Sequence, residues 1–115
     1  MQIRNATRNT VLCTEGTVAR SFLARLRGFM FRRALAQGSG LLLIPEHSIH
    51  SFGMRFPIDV IYLDGTNRVL RLDEAMPPNR IGPFVRGCQA VLELPPDTIR
   101  LSQTQPGDQL LFDLQ

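Results

Sequence analysis

Residues Ile49–Asp64 read IHSFGMRFPIDVIYLD. The second half decides the fold. Ile58, Val60 and Tyr62 point to one side of an extended chain, and Asp59, Ile61 and Leu63 to the other. Both sides are apolar except for Asp59, which predicts a strand buried on both faces. Asp64-Gly65 is a hairpin signal, and Arg68–Leu72 alternates as the returning strand. The first half is unusual in another way. His50, Ser51, Arg55 and Asp59 could all do chemistry, yet they sit among large apolar and aromatic residues. Such a mixture suggests a polar site against a core, either a binding site or an internal network.

Outward from this stretch, most of the chain reads as short strands. Gln2–Ala6 and Val11–Thr14 flank a turn at Asn9-Thr10. Gly38-Ser39-Gly40 opens the apolar run Leu41–Ile44, which Pro45 ends. Gln89–Leu94 and Gln109–Leu114 complete the set, the second after a turn at Pro106-Gly107-Asp108. Thr17–Arg27 reads as a helix capped by Thr17, with Ala19, Phe22, Leu23, Leu26 and Met30 as its apolar stripe. Gly28 ends it, and Arg25 and Arg27 lie in its last turn, where the helix dipole favours cations. A short second helix is expected near 96–103. Met76–Phe84, with Pro77, Pro78, Gly82 and Pro83, reads as a long covering loop. Local hairpins with one principal helix predict an α+β fold, mostly antiparallel β, with a barrel-like or strongly curved sheet.

The 115 residues predict a single domain over 1–115. The apolar fraction of 43% and the charged fraction of 20% are ordinary for a globular protein. No run is long enough for a membrane span, and MQIRNATRNT lacks the apolar region of a signal peptide. Cytoplasmic residence is the expectation. All 13 basic residues are arginine, giving a net charge of +3 against 10 carboxylates. They are spread along the chain without a basic block, so nucleic acid is not the expected partner. Cys13 and Cys88 match no zinc spacing and read as buried free thiols, although a disulfide closing the long loop between them stays open.

His50 and Asp59 form the sharpest pair. A buried carboxylate needs a partner; Arg55, His50 and the arginines between Arg27 and Arg33 are the candidates. One reading is an internal bond that fixes the loop entering the strand. The other is a carboxylate that orients His50 as a base or ligand contact. No GxSxG elbow surrounds Ser51, and His47 and His50 form no HExxH helix, so neither a serine hydrolase nor a metal site is expected. Glycine spacing fits neither a dinucleotide fingerprint nor a P-loop, and no cofactor is expected.

RGFMFR at Arg27–Arg32, HSFGMRFPIDVIYLD at His50–Asp64, VLEL at Val91–Leu94 and the late Gly107-Asp108 occur in one order. In this the chain resembles the family catalogued as domain of unknown function 192, small bacterial and archaeal proteins. The resemblance covers nearly the whole chain. It implies a compact, mostly β fold of barrel type with a packed helix, and it transfers no activity and no catalytic residue. Matching positions are Arg27, Gly28, Met30, Phe31, Arg32, His50, Phe52, Met54, Pro57, Ile58, Asp59, Glu93, Gly107 and Asp108. The chain departs at Gly53, where many members carry Trp, and many members look exported or lipid-anchored.

The expected function is a small binding or accessory module for an anionic or polar small molecule. Its site would draw on Arg27, Arg32, His50, Ser51, Met54, Arg55 and Asp59. The alternatives are a small hydrolase or isomerase using His50 with Asp59 or Glu46, and a protein-interaction module that uses edge strands and the Pro-rich loop.

Overall fold

The computed structural model describes residues 1–29, 35–51 and 53–113. Among the described residues, eight strands and two short helices follow one another: β1 (Gln2–Asn5), β2 (Thr10–Cys13), β3 (Glu15–Ala19), α1 (Phe22–Arg27), β4 (Ser39–Leu43), β5 (Ile58–Leu63), β6 (Val69–Met76), β7 (Ala90–Leu94), α2 (Thr98–Ser102) and β8 (Leu110–Asp113). They form a five-stranded sheet in the order β3-β4-β7-β5-β6 and a three-stranded sheet in the order β2-β1-β8.

Every residue of β5 is buried, as its doubly apolar pattern requires. It lies between β6 and β7, antiparallel to both. Alternation along β5 and β7 then divides the core in two. Ile61, Leu63, Leu92 and Leu94 face β1, β2 and β8, where they meet Ile3, Leu12 and Leu110. Ile58, Val60, Tyr62 and Val91 face the opposite way and are covered by connecting segments through Phe29, Ile49, Met54 and Cys88. Each of these large side chains contributes roughly 1.5–3 kcal/mol by leaving water, so a register slip of one residue in β5 would be ruinous.

Two expectations are corrected. The sheets are open rather than closed into a barrel or strongly curved: the pairing orders end at β3 and β6 and at β2 and β8. Hairpin patterns report neighbours, and closure depends on how the two outer strands meet, which no local pattern carries. The helix is also shorter than the predicted 17–27. Thr17, Val18 and Ala19 belong to β3, which pairs in parallel with β4. Their β-branched residues suit a strand, and Ser21 instead caps the helix, accepting a 3.1 Å hydrogen bond from the Ala24 amide. Gly28 ends it, as expected, at φ 48°.

The parallel β3–β4 pair is what places the site. Parallel neighbours need a crossover connection, and here it runs through α1. The helix is thereby held beside the sheet without entering the core: none of its residues is buried, and Phe22, Leu23 and Leu26 are exposed. Of the expected apolar stripe, Phe22, Leu23 and Leu26 face solvent, Ala19 is buried in β3, and Met30 lies outside the described residues.

Candidate functional site

A cleft of about 670 Å³ opens between α1 and residues 46–50. Phe22 and Leu26 of the helix, Leu43 at the end of β4, Ile49 and Ile81 give it mostly apolar walls. Arg25, Arg27, Glu46, Ser48 and His50 add polar groups. Glu93 also lines it. This volume falls within the range of small-molecule sites.

Glu93 is the unusual member. It interrupts the apolar run Val91–Leu94 and is only 1% exposed. Strand alternation points it to the same side as Val91, beneath Gly28. A Cβ at Gly28 would stand 3.0 Å from Glu93 Oε1 and 3.1 Å from Oε2. Glycine therefore keeps that side of the carboxyl clear of side-chain atoms, besides permitting the positive φ. The Phe29 backbone donates a hydrogen bond to the carboxyl, but Oε2 has no partner among the described residues. Burial pushes its pKa from 4.5 up to about 8; the Phe29 hydrogen bond opposes the rise, and the nearby Glu46 charge adds to it. Near neutral pH, Glu93 is mostly a neutral acid.

Arg25 is the second unsatisfied group. Its Nη1 donates to the Pro45 carbonyl at 2.7 Å and lies 3.9 Å from Glu46, but its buried Nε has no partner among the described residues. The His50 ring contacts the Leu26 carbonyl through Nε2 at 3.1 Å, which fixes this wall against the last turn of α1. His47 turns away, with Nδ1 against the Cys88 carbonyl and its ring 5.9 Å from that of Phe84.

The residues singled out in the sequence separate. Arg27 and His50 line the cleft. Ser51 is buried and stitches down the covering loop: Oγ donates to the Pro77 carbonyl at 2.6 Å and accepts from the Arg80 amide at 2.8 Å. Met54 lies in the core and Arg55 is exposed. Arg32 lies outside the described residues.

Asp59 is on the other face of the sheet from Glu93. Its Oδ1 accepts from the Ala75 amide and its Oδ2 from the Ile99 amide, each at 2.8 Å. Both bonds serve the backbone. A bulge sets Glu74 and Ala75 opposite Asp59 and frees the Ala75 amide to turn toward the carboxylate. The Asp97 side chain makes no capping bond to α2, and Asp59 supplies that acceptor from β5. Asp108 has a similar office, taking Asn5 Nδ2, Arg8 Nε and the Gln105 amide on Oδ2. Sequence reasoning missed Arg25 and Glu93 as site residues. The signal for Glu93 was the same as for Asp59, one carboxylate within an apolar strand.

Two solved structures share this fold. One is a protein of unknown function from Novosphingobium aromaticivorans DSM 12444, with a TM-score of 0.80 at 19% identity, covering 96% of this chain and 82% of that one. The other is described as a putative transcription regulator from Sinorhizobium meliloti 1021, with a TM-score of 0.76 at 21% identity, covering 96% of this chain and 89% of that one. No curated protein matches the chain. The family model described as Uncharacterized ACR matches residues 3–112. The chain therefore belongs to the family of domain of unknown function 192.

Proposed function

We propose that this protein is a binding module for a polar or anionic small molecule, and that the α1 cleft is its site. One observation carries the reading: an open, apolar-walled cleft has at its floor a buried carboxyl with one oxygen unsatisfied. Buried polar groups without partners are rare in folded proteins and call for an explanation. A ligand that completes the hydrogen bonding supplies one. Arg25, Arg27 and His50 provide the polar rim. No helix among the described residues is long and apolar enough to cross a membrane. The cytoplasm is the compartment we assign, supported by the two buried free thiols, Cys13 and Cys88.

The enzymatic reading that pairs His50 with Asp59 gains little from the geometry. Both Asp59 oxygens are engaged by backbone amides on the far face of the sheet, whereas His50 borders the cleft. Chemical-shift mapping with a panel of phosphates, sugars and carboxylates tests the binding reading. Perturbations should centre on Leu26, Gly28, Ile49 and Ile81. A panel that perturbs none of them would contradict it.

A further inference from the structure

We infer that the cleft recognises an amphipathic monocarboxylate, with the apolar tail against Phe22, Leu26 and Ile81 and the carboxylate on Glu93 Oε2 and Arg25 Nε. This rests on the cleft being a binding site and goes further by naming the ligand class. The argument is one of donors and acceptors. A carboxyl that takes the Phe29 amide on one oxygen presents its other oxygen as an O–H donor when protonated. Arg25 Nε–H is a donor in every state. The two unsatisfied groups thus ask for the same thing, an acceptor oxygen. An amine or ammonium would leave Arg25 Nε as it is now.

Charge agrees. Four charged or titratable groups accompany Glu93 around the cleft: Arg25 and Arg27 from α1, and Glu46 and His50 from the segment after β4. Arg25 and Glu46 offset one another across 3.9 Å. Arg27 then leaves the cleft positive while Glu93 keeps its proton. The strand neighbours of Glu93 in the sheet, Leu41 and Val60, are apolar and add no competing charge. The exposed Phe22, Leu26 and Ile81 offer a tail the surface it needs. On binding, the proton remains on Oε2 and is donated to the ligand carboxylate, a short charge-assisted hydrogen bond.

The test is titration of the full chain with octanoate and with octylamine, followed by backbone amide shifts, between about pH 6 and about pH 9.5. Octanoate is expected to bind in the cleft. Its Kd should rise roughly tenfold per pH unit once Glu93 has lost its proton. Glu93→Gln retains an N–H donor and should bind octanoate without that pH dependence; Arg25→Met should weaken octanoate several-fold and leave octylamine unchanged. Octylamine binding more tightly than octanoate, and tightening as pH rises, would overturn the carboxylate assignment while leaving the cleft a binding site. Octanoate affinity that ignores both pH and Glu93→Gln would also overturn it. Absence of shifts around the cleft with either probe would remove the binding reading together with the inference.

Discussion

Asp59 and Glu93 are buried carboxylates on adjacent strands, and they do different work. Val60 pairs with Glu93 and Asp59 with Leu94, so the two acids are near neighbours along the sheet but emerge on opposite faces. Asp59 spends both oxygens on backbone amides, one in a bulge of β6 and one at the start of α2. Glu93 receives one amide and keeps an oxygen unsatisfied under a cleft. A buried carboxylate is therefore informative only once its partners are counted. A full set marks architecture, and a deficit marks a group that the fold alone does not explain.

Substitutions can break the contrast. The largest effect belongs to Asp59→Ala, which leaves two amides without acceptors. Denaturant unfolding should show a loss of about 3 kcal/mol, with the protection of Ile99 against hydrogen exchange falling first. If stability were unchanged, the architectural role of Asp59 would be wrong. Gly28→Ala comes next. Its Cβ would stand 3.0 Å from Glu93 Oε1 in a conformation with φ 48°, and a loss of about 2 kcal/mol is expected from strain and contact. The resonance of Glu93 should shift in the same variant. Ser51→Ala strips the anchor from the Arg80 amide and should lose about 1 kcal/mol, with exchange increasing at Asn79–Ile81.

Glu93→Gln sharpens the comparison because its effect on the fold is the smallest at acidic pH and grows as pH rises. A carboxyl raised from 4.5 to about 8 holds its proton in the native protein after the unfolded chain has lost it. The native state then binds more protons across that window, and stability falls as pH rises through it. The contribution is fully present below about pH 4.5 and is lost as pH passes about 8. Glu93→Gln should match the parent within about 1 kcal/mol at the acidic end and become the more stable of the two at the alkaline end. Parallel stability curves for the two proteins would contradict this.

Much of the fold was legible because strand periodicity is local. Ile58–Leu63 announced a doubly buried strand, and Asp64-Gly65 its hairpin. Ser21 and Gly28 bounded a helix of six residues, but Thr17–Ala19 continued its apolar spacing and extended the expected helix. The parallel pairing with β4 that claims those residues joins positions separated by the whole crossover, and nothing local reports it. The site was half legible. Arg27 and His50 line the cleft, and Asp59 needed a partner as expected. That partner turned out to be two backbone amides, a kind of group every residue but proline supplies and no sequence pattern marks. Glu93 sat in an equally apolar strand, but only the tertiary packing of Gly28 above it distinguishes it from a paired carboxylate.

The central claim is that Glu93 keeps its proton at neutral pH, buried and with one oxygen unsatisfied among the described residues. Carbon-detected NMR titration of the side-chain carboxyls, with the Glu93 signal identified by its absence in Glu93→Gln, tests this directly. The account predicts a midpoint of about 8 for Glu93. A midpoint near the ordinary glutamate value of 4.5 would mean an ionised, already satisfied carboxylate, and would contradict it.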